Sequence, residues 1–277
     1  VGANTLTLSG GGSLVSGGVN LNNADSKLLL NSITLDNVST SADSLGIDID
    51  LDSTVTSLSV GHITPVSIAP TKTLSGGVTV TAGSLKLNET GTLASTIVMS
   101  GGVLDVDETS TVSGVLTHSG DIGIDVATGK TFTYSGAAIG VGANTLTLSG
   151  GGSLVSGGLT LNNADSKLLL NSITLDSVGT SLSSLGLDVD DNSTITSLNI
   201  GHITPVSIAT GKSLSGAITV SAGSIKLNET GTLASSIAMS GGVLDADESL
   251  TVSGALSHSA DITIDVAETK TLTYSGA

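Results

Sequence analysis

The sequence predicts an all-β chain folded as a parallel β-solenoid with about 18–22 residues per coil; the alternative is a set of tandem β-sandwich domains. Three observations predict it. Residues 1–137 return as residues 141–277 at a fixed offset of 140, without an insertion or deletion, and 105 of the 137 aligned pairs are identical. Apolar residues alternate with Ser, Thr, Asn and Gly at the period of 2 that sends successive side chains to opposite faces of a strand. The interior must also be built almost without aromatics, because the chain has no Trp, one Phe (Phe132) and two Tyr (Tyr134, Tyr274). A narrow, regular core of stacked aliphatics suits that composition better than an irregular globule does.

The elements follow in order. Thr5-Leu6-Thr7-Leu8, Gly77-Val78-Thr79-Val80, Ser84-Leu85-Lys86-Leu87 and Asp121-Ile122-Gly123-Ile124-Asp125-Val126 each show the alternation and the strand-forming residue types. Ser-Gly, Gly-Gly and Asn-Asn turns separate such segments every 8–12 residues or so, and no stretch carries helical periodicity. The junction Ser135-Gly136-Ala137-Ala138-Ile139-Gly140-Val141 has no Pro and no charge run, so it does not read as a linker between domains. Lys130–Gly136 echoes Asn4–Gly10 and Lys72–Gly76, which points to coils inside each unit. The chain therefore divides into residues 1–140 and 141–277, the second unit continuous with the first and lacking its last three residues. Seven coils per unit at about 4.8 Å each give a rise of about 34 Å. Inward positions are expected to include Leu6, Leu8, Val78, Val80, Leu85, Leu87, Ile122 and Ile124. Pro65 and Pro205 are expected to begin a strand or sit at a corner, since proline cannot donate to a ladder. Differences between the copies, such as Val55/Ile195, Val60/Ile200, Val78/Ile218, Leu85/Ile225 and Phe132/Leu272, are the volume-conserving swaps that a packed core tolerates.

Composition excludes several functions. The formal net charge is −16, with eight Lys and no Arg. Nucleic-acid binding needs clustered cations to displace counterions, so it is not expected. The acidity reads as a solvated surface or as cation binding. The absence of Cys removes disulfides and thiolate metal sites. Apolar runs such as Leu28-Leu29-Leu30 are too short for membrane insertion.

Ile124-Asp125-Val126-Ala127-Thr128-Gly129-Lys130-Thr131-Phe132-Thr133-Tyr134-Ser135-Gly136, and its counterpart from Ile264 to Gly276, resemble the repeated strand motif of bacterial autotransporter passengers. Filamentous-haemagglutinin-like adhesins carry similar strands. The resemblance covers these segments well and the rest of the chain in style. It implies a right-handed β-helix in a secreted bacterial surface protein, located extracellularly or at the cell surface.

Candidate chemistry is sparse. Asp48, Asp50 and Asp52, with Asp188, Asp190 and Asp191, are the candidate Ca²⁺ ligands, set against a bland reading as an acidic turn. Position 51 changes from Leu to Asp between copies, so it is not core and the strand is expected to end near residue 50. Asp105, Asp107 and Glu108, with Asp245, Asp247 and Glu248, form a second acidic cluster. His62, His118, His202 and His258 are expected at coil corners, bonded to backbone. Thr-x-Thr at Thr5/Thr7, Thr54/Thr56, Thr79/Thr81 and Thr131/Thr133 recurs irregularly, which reads as strand propensity rather than an ice-binding face. No motif supports an enzyme, and no insertion builds a cleft. No cofactor is required, Ca²⁺ being the one candidate ion. The expected function is structural: an extracellular shaft or subunit of a surface fibre. The alternative is an adhesin stalk or binding module recognising a cell surface or glycan. The expected partners are further copies of the chain, joined covalently or docked head to tail, and a cell surface or matrix. By the repeat, Ala-Ile-Gly and a third Val-Gly-Ala-Asn-Thr-Leu would follow Ala277.

Overall fold

The computed structural model describes residues 1–276, and every regular element among them is a β-strand. The chain divides into two compact units, Val1–Ala137 and Ala138–Ala277. Ile139–Gly140 pairs with Leu159–Thr160, which places those residues in the second unit.

Each unit is a parallel β-solenoid of seven coils. In the first unit, one sheet is made by Thr5–Ser9, Lys27–Asn31, Gly46–Leu51, Ile63–Ile68, Ser84–Leu87, Val103–Val106 and Ile122–Val126, each hydrogen-bonded to the next in that order. We call the outside of this sheet the first face. The register pairs Thr5 with Lys27, Lys27 with Gly46, Ile47 with Val66, Thr64 with Leu85, Leu85 with Leu104 and Leu104 with Ile124. The coil lengths are thus 22, 19, 19, 21, 19 and 20 residues. The second unit pairs Thr145 with Lys167, Lys167 with Gly186, Leu187 with Val206, Thr204 with Ile225, Ile225 with Leu244 and Leu244 with Ile264, the same unequal series.

The remaining strands bend. Thr34–Thr40 pairs with Ser13–Leu14 through its first half and with Val19–Leu21 through its second. Ser53–Val60, Thr73–Val80 and Thr92–Met99 continue both halves. The two halves make a second and a third face. The bend is visible as a register shift between Val55 and Leu58. Gly76 sits there at φ +121°, and a Cβ on it would lie 1.8 Å from the Val55 carbonyl oxygen. No other residue fits that approach.

Side chains of the same parity stack into continuous apolar columns. Leu28, Ile47, Val66, Leu87, Val106 and Val126 follow one another in register and are essentially inaccessible to solvent. Each such burial contributes about 1.5–3 kcal/mol. Val78, Val80, Leu85, Leu87, Ile122 and Ile124 are buried as expected, while Leu6 and Leu8, in the first coil, are only half-buried. Two of the buried hydroxyls show how the core accommodates polar groups: Thr64 Oγ1 donates to the His62 carbonyl at 3.1 Å, and Ser110 Oγ to that of Glu89 at 2.8 Å. The Leu116 N–H donates to the Tyr134 hydroxyl at 3.0 Å, giving the one large polar core side chain of that unit a partner.

Pro65 corrects an expectation. It lies within the strand Ile63–Ile68, opposite Lys86, not at a strand start or corner. Pairing of that strand to the preceding coil begins at Val66, so the missing N–H removes no bond from that ladder. Gly46 makes the room: a Cβ there would lie 2.0 Å from the Pro65 carbonyl oxygen. Gly186 and Pro205 repeat the arrangement.

Candidate functional site

The acidic positions singled out from the sequence lie on the outside of the first face and at its exit corner. Asp48 points outward from Gly46–Leu51 and pairs with Lys27 of the preceding coil at 2.6 Å. Asp50 and Leu51 are exposed at the end of that strand, as position 51 suggested. Asp52 has passed the corner and accepts the Thr73 N–H at 2.8 Å. In the second unit Asp188 pairs with Lys167 at 2.7 Å, Asp190 is exposed, and Asp191 pairs with Lys212 at 2.8 Å. The Lys212 ammonium, with the Asn192 N–H, holds the Asp191 carboxyl below the usual carboxylate range. Among the described residues no group of three or more His, Asp or Glu side chains converges as a metal site would require.

The second cluster is more tightly organised. Lys86 Nζ bridges Asp105 at 2.7 Å and Asp107 at 3.0 Å. Asp105 stands in register between Lys86 and Asp125. Burial pushes its carboxyl above the usual range despite the lysine, and Asp107 and Asp125 add to the rise. For Lys86 the balance goes the other way: hydrogen bonding to Asp105 raises its pKa above the ordinary lysine value and outweighs desolvation. The disagreement is physical, since the carboxylate is the more deeply buried partner. Lys226 meets Asp245 at 3.3 Å and also Asp247 in the second unit.

Sequence reasoning missed that these contacts are a system. Seven of the eight lysines pair with a carboxylate one coil away; the others are Lys130 with Glu108 and Lys270 with Glu248, both at 2.6 Å. The signal was a Lys-to-acid spacing of one coil: Lys86 and Asp105 are 19 apart, Lys27 and Asp48 are 21 apart, and Glu108 and Lys130 are 22 apart. Lys72 stands where Lys212 stands, but its coil offers Leu51 in place of Asp191.

The histidines sit at corners. His118 Nδ1 lies 3.1 Å from the Gly120 carbonyl and His258 Nδ1 3.3 Å from that of Ala260. His62 lies 3.9 Å from Asp43, which is Ser183 beside His202. Two surface depressions accompany these features. One, of about 180 Å³, is lined by Ala238, Met239, Ser257 and His258; the other, of about 440 Å³, is open and lined by Pro70, Asn88, Glu89, Thr90 and Glu108.

Comparison with protein families, curated proteins and solved structures found no match to this chain.

Proposed function

We propose that this chain is a structural element, a segment of the shaft of an extracellular fibre built from tandem solenoid units. One observation carries the reading: both units repeat the same series of coil lengths without an insertion, and inward columns such as the one from Leu28 to Val126 continue from coil to coil. A catalytic solenoid departs from regularity where its cleft is built. Here the irregularities are the strand bends and the Gly-Pro step, and both recur at the 140-residue offset. The resemblance of the Ile124–Gly136 strand motif to those of autotransporter passengers and filamentous-haemagglutinin-like adhesins supports a secreted bacterial setting. The partner is a further copy of the unit. By the 140-residue repeat, the coil that meets the end strand of one unit is the matching coil of another, since a sheet edge templates such pairing. Electron microscopy of the native material tests the reading. It should show thin rods that shorten by about 34 Å for each deleted unit. Globular particles, or rods unchanged in length by a unit deletion, would refute it.

A further inference from the structure

The charged and uncharged residues of each unit occupy different sides. The first face and its corners carry Lys27, Asp48, Lys86, Asp105 and Asp125. On the strands of the second and third faces of the first unit the only Asp, Glu or Lys is Asp36, and in the second unit it is Asp176. Both carboxylates are held at the bend, where they accept the N–H groups of Ser16 and Ser156. Outward positions there are short and neutral. On the second face Ser13, Thr34, Thr54 and Ser75 follow one another in register. On the third, Asn20, Ser39, Ser59, Thr79, Val98 and Thr117 do the same. The copies differ at 32 positions, and the four differences that change charge, at 43, 51, 52 and 128, all lie off these two faces.

We propose that the second and third faces are the lateral contact surface of this chain, and that the partner they fit is a second copy presenting the same neutral side. The inference rests on the fibre reading above, which takes copies of the chain as partners, and adds the side by which they bundle. Three physical arguments favour a copy. A chain of net charge −16 repels its neighbours, and the cost is least when the charged sides point apart. Ser, Thr, Gly, Ala and Val lose little rotamer freedom on contact, whereas immobilising Lys and Glu costs up to about 2 kcal/mol each. Flat ladders of short side chains also approach to the roughly 10 Å spacing of packed sheets. Seven rungs of about four residues offer roughly 450 Å² per face and unit, against roughly 800 Å² per partner in a stable interface. Contact is therefore weak for one unit and accumulates with the number of units engaged.

The test uses the full chain in sedimentation velocity and small-angle scattering across concentration at low and high salt. Lateral association should raise the cross-sectional radius, and more so at high salt, where the repulsion is screened. Ser59→Glu with Thr79→Glu should weaken it roughly tenfold, and so should Ser59→Lys with Thr79→Lys, although the lysines reduce the net charge. Thr7→Glu with Ser9→Glu, on the first face, should leave it unchanged. Melting curves verify that each variant is folded. No growth in cross-section at any attainable concentration would overturn the proposal, as would Glu and Lys variants that bundle like the parent. Arrest of ice growth by a parent that never bundles, lost in both variants, would reassign the face to ordered water and equally overturn it. Axial growth is read separately as length, so failure of the lateral contact is distinguishable from failure of the fibre reading.

Discussion

The two units are a natural experiment, since one fold is written twice with 32 differences. Inside, most changes exchange one aliphatic for another or Phe132 for Leu272; Val106 to Ala246 removes two methyl groups at a position that stays inaccessible, and Ser110 to Leu250 replaces a buried hydroxyl with an aliphatic side chain. At the corners the changes are chemical: Asp43 to Ser183, Leu51 to Asp191, Asp52 to Asn192 and Thr128 to Glu268. The coil series and the strand bends survive both kinds. The columns and the recurring glycines Gly46/Gly186 and Gly76/Gly216 therefore specify the fold, while the corner charges are adjustable and make local pairs where a coil-neighbour happens to offer one.

The comparison can be broken most severely from within. Leu85→Asp places an unpaired carboxylate in a column with no solvent access and should cost the first unit about 4–5 kcal/mol, abolishing its cooperative melting. Val98→Asp, 43% exposed on the third face, should shift melting by less than about 0.5 kcal/mol. Equal losses would mean that the inward and outward parities are misassigned. Phe132→Ala should cost about 3–5 kcal/mol through the cavity it leaves, and Phe132→Leu, the second unit's own choice, much less. Gly46→Ala drives a methyl into the Pro65 carbonyl at a positive φ and should cost about 2–3 kcal/mol; a neutral result would show that the Gly-Pro step is not a close contact.

Smaller effects sharpen the corner half of the comparison. Lys86→Met should cost about 1 kcal/mol at neutral pH. The folded pKa of Lys86 is raised, so its contribution is complete below the ordinary lysine value and is lost as pH rises through the raised one. Thermal melting of the parent should therefore fall in that alkaline window, and the Met variant should show a shallower fall. Leu51→Asp should supply Lys72 with the partner that Asp191 gives Lys212, gaining less than about 1 kcal/mol that salt removes. A gain that persists in high salt would contradict an ion-pair origin.

Much of this was legible in the sequence. The period of 2 gave the inward set from Val78 to Ile124, and the 140-residue repeat with its internal echoes gave seven coils of about 20 residues. The ladders were not legible, because coil lengths of 19 to 22 defeat any fixed offset. Thr73, Thr92 and Thr111 form one outward column, yet the Thr-x-Thr occurrences look irregular along the chain. The Lys-to-acid pairs were hidden for the same reason. Pro65 was misplaced because its tolerance depends on where the neighbouring ladder begins, which is a property of register and not of local sequence. The ion pair of Asp48 was not legible because the lysine that faces it is 21 residues away.

Register is the claim on which the faces, the charge segregation and the lateral contact all depend. The chain has no Cys, so engineered pairs report on it without interference. Thr79 and Val98 are register partners on adjacent coils, and Thr117 lies one coil further. A parallel ladder puts neighbours about 4.8 Å apart, within the Cα range of a disulfide, and second neighbours about 9.6 Å apart, beyond it. Under mild oxidation the Thr79→Cys, Val98→Cys chain should close an intramolecular disulfide, and the Thr79→Cys, Thr117→Cys chain should not. Closure of the second pair, or failure of the first in a folded chain, would contradict the coil register.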